Sequence, residues 1–171
     1  MTRKSKRAIS SPVQPAPPDA PSPSAPTEQH LFHLLTFYTL THPDPVFLHQ
    51  HAVDAFAAQL ANEHTKPITL VFGLIGLYLH LEWNYTGRQV QLAHMRRASR
   101  RKQWPALPLP AQRGTIRVAH VLQAAPGPER DVMIHNWATS VWPCFTQARP
   151  QILEIAQSEL DVLPPPVRKD S

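Results

Sequence analysis

Twenty prolines, set against only five glycines, constrain how this chain can fold more than any other feature of its sequence. Proline fixes its own φ angle and has no N–H, so helices and central strands exclude it from their interiors. Pro45, Pro67 and Pro128 suit the first positions of helices, whereas Pro105, Pro108 and Pro110 prevent regular structure in the stretch after the fourth predicted helix. The pattern therefore predicts an all-α protein, a compact bundle of about five helices with disordered tails.

A capping residue or a proline opens each of the five predicted helices, as is typical of helix starts. Thr27, Asp44 and Thr86 are predicted to cap the first, second and fourth helices, while Pro67 and Pro128 begin the third and fifth. The predicted ranges are Glu28–Thr41, Pro45–Glu63, Pro67–Trp83, 87–103 and a fifth helix from Pro128 onward. Between the last two lies a long irregular, proline-rich connection, 104–127, with one or two helical turns near 119–124.

The chain divides into one domain and two tails. Residues 1–28 are rich in proline, serine and basic side chains with little to bury, so we expect a disordered tail there. Residues 29–163 form the single predicted helical domain, and 164–171 a second disordered tail. The one cysteine, Cys144, excludes a cysteine-rich zinc site. The uncharged stretch Pro67–Leu81 is shorter than a bilayer requires, so we predict a buried helix and a cytoplasmic protein.

Charge argues against a nucleic-acid-binding domain. The formal net charge is +5, but much of it lies in the tails, and the body is close to balanced. The basic cluster Arg96–Lys102 precedes Trp104, an arrangement that could bind phosphates and stack on a base. These cations spread around the helix rather than along one stripe, which favours a solvated surface. Nucleic-acid binding through this cluster remains the weaker alternative.

Histidines are the main candidates for a functional site, because three successive helices each direct one of them inward. At 100° per residue, His49 lies within the apolar stripe of the second helix, and His51 falls nearly opposite it. His80 shares a strip of the third helix with two glycines, which would let a neighbouring backbone approach or leave room for a bound group. His94 lies on the least polar strip of the fourth helix.

Three neutral imidazoles with an open fourth position suit a divalent metal ion such as zinc. We therefore predict that His49, His80 and His94 bind a metal ion, with Asp54 as a fourth ligand or as an acceptor that orients a histidine. Such an ion could activate water for hydrolysis or group transfer. The alternative is a buried polar network of the same histidines inside a non-catalytic interaction module or homo-oligomer. Six further histidines are predicted to be surface, loop or capping residues: His30, His33, His42, His64, His120 and His135.

Several segments resemble a family of small uncharacterised bacterial proteins, a domain-of-unknown-function family. The resemblance rests on HPDPVFLHQHAVDAFAAQ, KPITLVFGLIGLYLHLEWNYTGRQVQLAHM, RKQWP and GPERD. It covers about residues 31–145 and excludes both tails. It implies a bacterial, cytosolic, helical domain, and brings no known substrate, cofactor or catalytic residue.

Overall fold

The computed structural model describes residues 25–42, 44–100 and 103–160, and within them all regular structure is helical. The helices are α1 (Glu28–Thr41), α2 (Leu48–Gln59), α3 (Pro67–Trp83), α4 (Gly87–Arg100), α5 (Val118–Gln123), α6 (Pro128–Val141) and α7 (Arg149–Leu160). A 3-10 turn, Trp142–Phe145, joins α6 to α7. The predicted all-α class is confirmed. Both predicted tails lie almost wholly outside the described residues, so the domain boundaries stay predictions. None of the described helices is long and apolar enough to cross a membrane.

Local sequence signals place several helix ends where they were predicted. Thr27 caps α1 by accepting a hydrogen bond from the backbone N–H of His30, at 3.2 Å. Pro67 occupies the first turn of α3, and Pro128 that of α6. At the start of α4, Thr86 accepts from the Gln89 N–H while the Gln89 side chain accepts from the Thr86 N–H, a reciprocal capping box.

The second helix is shorter than predicted, beginning at Leu48 rather than Pro45 and ending at Gln59 rather than Glu63. The later start follows from the Asp44 side chain, which accepts hydrogen bonds from the backbone N–H groups of Val46 and Leu48. These bonds fold residues 44–47 into a turn, and Phe47 closes it in the left-handed region with φ 58°. Asp44 therefore orders the entry to α2 without being its N-cap.

α2 lies at the centre of the molecule, in contact with α1, α3, α4 and α6. It approaches α3 closely because small residues face each other across the interface. On the α2 side the facing small residues are Ala57, whose Cβ would lie 3.3 Å from a Cβ placed on Gly73, and the fully buried Ala58, whose backbone nitrogen would lie 3.4 Å from it. On the α3 side, a Cβ placed on Gly73 would meet the Asp54 carbonyl oxygen at 3.0 Å. The prediction that glycines of α3 admit a neighbouring backbone thus holds at Gly73.

The irregular connection between α4 and α6 is fastened to the helices by one buried amide. The Gln59 side chain donates to the carbonyl oxygens of Arg113 and Ile116, both at 2.8 Å. Its own oxygen accepts from the indole N–H of Trp137 at 2.9 Å. Since all three bonds converge on a side chain of α2, the connection and α6 are held against the central helix. Within the connection α5 begins at Val118, one residue before the predicted helical turns.

Candidate functional site

Polar side chains enter the otherwise apolar α2–α3 interface at two successive levels. His51 and Asp54 lie three positions apart on α2, and each is only 2% exposed. Gly76 and His80 on α3 face them with a spacing of four residues. Because these spacings correspond to about one helical turn, the levels lie roughly 5 Å apart along the interface.

The first level is a row of three imidazoles, His51, His80 and His135, which we call the histidine row. The rings of His51 and His80 stack with their centroids 3.6 Å apart and their planes 21° from parallel. His80 Nε2 lies 3.1 Å from His135 Nδ1 on α6. His51 is buried, His80 is partly buried and His135 is exposed, so the row runs from the core to the surface.

Hydrogen bonding indicates which nitrogen of His80 carries the proton. Its Nδ1 lies 3.4 Å from the Tyr85 carbonyl oxygen, which can only accept, so Nδ1 is the donor. In the neutral ring, Nε2 then presents a lone pair toward His135 Nδ1. Either His135 donates a proton to that lone pair, or both nitrogens present lone pairs toward a shared electrophile.

Burial keeps the inner part of the row neutral. Burial first, and then the neighbouring His80 and His135, lower the pKa of His51 from its usual 6.5 to about 3. The pKa of His80 falls to about 4, again mainly through burial, against a smaller opposing effect of its bond to Tyr85. Near neutral pH both rings are therefore uncharged and retain a nitrogen lone pair.

The second level is the pair of Asp54 and His94, and both side chains are buried. Asp54 Oδ1 accepts a hydrogen bond from the Gln50 side chain at 2.9 Å and lies 3.5 Å from His94 Nε2. The His94 ring stacks on Phe72, with centroids 4.6 Å apart. Burial raises the pKa of Asp54, and the contacts with His94 and Gln50 only partly offset this rise.

Gly76 explains how a carboxylate fits at this depth. A Cβ on Gly76 would lie 2.0 Å from Asp54 Oδ2, so the carboxylate occupies the space that any side chain there would fill. Asp54 Oδ2 and His94 Nδ1 are buried without hydrogen-bond partners among the described residues. The room beside Gly76, which the sequence left open to a bound group, is thus taken by Asp54.

The structure divides the four predicted metal ligands rather than gathering them. Asp54 and His94 lie together, whereas His80 lies with His51 and His135. His49 is directed toward α1, where its Nδ1 lies 2.8 Å from the Thr39 hydroxyl. Among the described residues, no three histidine, cysteine, aspartate or glutamate side chains are grouped to hold a metal ion.

Two members of the histidine row did not stand out in the sequence. Helix periodicity places His51 nearly opposite the inward-facing His49, but α2 is enclosed by several helices and buries His51 as well. His135 is exposed, as predicted for it, yet it contacts His80 across 55 positions of sequence. The sequence signal available for His51 was its spacing. His51 and Asp54 lie three positions apart on α2, which matches the four-position spacing of Gly76 and His80 on α3. No local signal pointed to His135.

One cation of the basic cluster on α4 is buried rather than on the surface. Arg97 is 1% exposed and donates to the Ala156 carbonyl oxygen of α7 at 3.4 Å. Arg96 is exposed, while Arg101 and Lys102 lie outside the described residues. The burial of Arg97 removes one cation from the surface predicted as the weaker, nucleic-acid-binding alternative.

Comparison with known proteins places the chain in a family. Residues 13–146 match the model of a family of unknown function, DUF5946. The chain belongs to DUF5946. The resemblance seen in the sequence motifs is thereby confirmed at the level of the family. No curated protein and no solved structure matches the chain significantly. In this member of DUF5946, function has to be argued from the site itself.

Proposed function

We propose that the histidine row binds a divalent transition-metal ion, with His80 Nε2 and His135 Nδ1 as the protein ligands. The observation that carries the proposal is the 3.1 Å separation of these nitrogens. Two nitrogens that each lie about 2.0–2.1 Å from a tetrahedral zinc ion are about 3.3 Å apart. A small adjustment of either ring would therefore admit an ion between them.

The protonation of His80 supports this proposal. Protons compete with metal ions for imidazole nitrogens, so a ligand that is neutral at physiological pH binds more readily. Burial lowers the pKa of His80 to about 4, and its Nδ1 is directed at the Tyr85 carbonyl oxygen. A backbone carbonyl on the far nitrogen is the usual way in which proteins orient a metal-binding imidazole.

Two imidazoles leave positions of the ion open. Water would fill them at the exposed His135 end of the row. The buried His51 ring is a candidate third ligand after rotation, because its Nδ1 has no hydrogen-bond partner among the described residues. Water on such an ion is the nucleophile that a metal-dependent hydrolase or transferase would require. Of the four ligands predicted from sequence, we retain His80 and propose His135, with His51 as the candidate third ligand, in place of His49, His94 and Asp54.

The competing proposal is a structural histidine network within a non-catalytic interaction module. The stacking of His51 on His80 favours it, because stacked neutral rings fill a core without needing a metal ion. The two proposals differ in what His135 does. A ligand role makes this exposed residue essential for metal retention, whereas a structural role gives it only one hydrogen bond at the surface.

Metal retention by the untagged full-length protein tests the proposal. The protein would be stripped with chelator, exposed separately to zinc, nickel, copper and cobalt, desalted, and measured by elemental mass spectrometry. We expect about one ion per chain in the wild type and loss of that ion in His80→Ala and His135→Ala. His49→Ala and the highly exposed His64→Ala are the matched controls and should retain it. Absence of retained metal, or equal loss in the controls, would refute the proposal.

A further inference from the structure

The outer face of α1 carries large apolar side chains at the surface of the folded chain. Leu34 is 50% exposed, Phe37 71% and Leu40 59%. Successive members are three residues apart, so they form one oblique stripe along the helix. The opposite side of the same helix is also apolar, with Leu35 fully buried in the core. α1 is therefore hydrophobic around most of its circumference, the character of a helix with partners on two sides.

This outer face carries no fixed charge. Its exposed residues are Gln29, His30, His33, Leu34, Phe37, Leu40 and Thr41. The only acidic residue of α1, Glu28, pairs with Arg117 at 3.1 Å. Polar side chains flank the apolar stripe at both ends of the helix, as in the rim of a protein interface.

We propose that this face, the α1 face, is a homodimer interface on which α1 of a second copy of this chain packs. Partners of opposite charge select each other through complementary surfaces, and the α1 face has no fixed charge to offer such a partner. In a two-fold symmetric dimer, the same surface of each copy contacts the other copy. A face of uncharged, mixed apolar and polar residues is compatible with itself in such a dimer.

The exposed apolar area is of the size that a small dimer requires. Three large side chains exposed by half or more present on the order of 300 Å² of apolar surface, within the range of the largest patches on monomers. Pairing would bury about 600 Å² over two copies. The smallest stable interfaces bury about 1,200 Å² in total, a little over half of it apolar. The α1 face therefore fits a dimer with micromolar rather than tighter affinity.

Sedimentation equilibrium of the full-length chain over a wide concentration range tests the interface. We expect a monomer–dimer equilibrium in the wild type, weakened about thirtyfold or more by Phe37→Glu at the centre of the stripe. Met95→Glu is the matched control, since Met95 is 65% exposed on α4 and lies outside the α1 face. It should leave the equilibrium unchanged. Far-ultraviolet circular dichroism checks that both variants remain folded.

Cross-linking supplies a second readout that does not depend on a charged substitution. Phe37→Cys in a Cys144→Ser background should form an intermolecular disulfide under mild oxidation, because the middle of the stripe lies near the two-fold axis. Met95→Cys in the same background should form little intermolecular disulfide, because Met95 lies outside the α1 face. A wild type that is monomeric at every concentration, or a dimer that persists in Phe37→Glu, would overturn the proposal. Equal cross-linking at the two positions would also overturn it.

Discussion

The histidine row and the Asp54–His94 pair lie about one helical turn apart on the same helix interface, yet they meet the solvent differently. The row ends at the exposed His135, whereas the pair is closed by Gly76 on one side and by the Phe72 ring on the other. Both contain polar atoms without partners among the described residues. The comparison shows that the burial of polar side chains does not by itself mark a binding site. The row has a path to solvent, so it can exchange a ligand, while the pair is part of the packing.

Lowering the pH should distinguish the two levels most strongly, because it changes their contributions to folding stability in opposite directions. His51 and His80 have lowered folded-state pKa values, so below pH 6.5 the unfolded chain binds protons that the folded chain does not. Their contribution to stability is complete above pH 6.5 and is lost progressively toward pH 4 for His80 and pH 3 for His51. Asp54 has a raised pKa, so the folded chain takes up its proton first and gains stability from it as the pH falls.

Urea unfolding between pH 7 and pH 4 would measure this difference. We expect His51→Asn to flatten the loss of stability on acidification, by on the order of 3 kcal/mol at pH 4. Asp54→Asn should steepen the loss, because the compensating proton uptake disappears. The control His64→Asn replaces a highly exposed histidine and should follow the wild type. Identical slopes for His51→Asn and wild type would contradict the neutral, buried state assigned to His51.

Gly76→Ala tests the closed level by filling the space that Asp54 occupies. The new Cβ would lie 2.0 Å from Oδ2, and the buried carboxylate is held by Gln50, so it cannot move without losing that bond. We expect a net destabilisation of about 2 kcal/mol, after the better helix propensity of alanine is counted. Gly73→Ala gains the same helix propensity, and its new Cβ would lie 3.0 Å or more from its nearest neighbours. We therefore expect this variant to lose clearly less stability. Equal costs in denaturant titrations would mean that Asp54 adapts freely.

His135→Ala tests the open level and should have the smallest effect on stability. His135 is exposed and makes one hydrogen bond to another side chain, which is worth about 0.5–1 kcal/mol. Thermal and urea unfolding of the metal-free variant should therefore lie close to the wild type. A loss above about 2 kcal/mol would contradict the exposed position and the single hydrogen bond assigned to His135.

Sequence reasoning succeeded where the determinants are local. Thr27 and Pro67 fixed the starts of two helices, because a cap and a proline act within one turn of themselves. It failed at α2, where the Asp44 side chain bonds Leu48 four residues ahead and replaces the first predicted turn of the helix.

The assignment of the histidines depended on packing, which the sequence does not display. The predicted range of the second helix included Val46, but α2 begins after this residue, and Val46 is 40% exposed. The helix buries His51 as well, because partners surround it. The contact of His80 with His135 depends on how α6 docks against α3, a tertiary arrangement that no helix periodicity encodes.

Long-range proton–nitrogen correlation spectra of the histidine side chains, recorded while zinc is titrated in, would test the metal site most directly. We expect the signals of His80 Nε2 and His135 Nδ1 to move together and saturate at about one equivalent of zinc, while those of His49 and His94 stay in place. Signals of His80 and His135 that do not respond to zinc, or a response centred on His49 or His94, would contradict the proposed metal site.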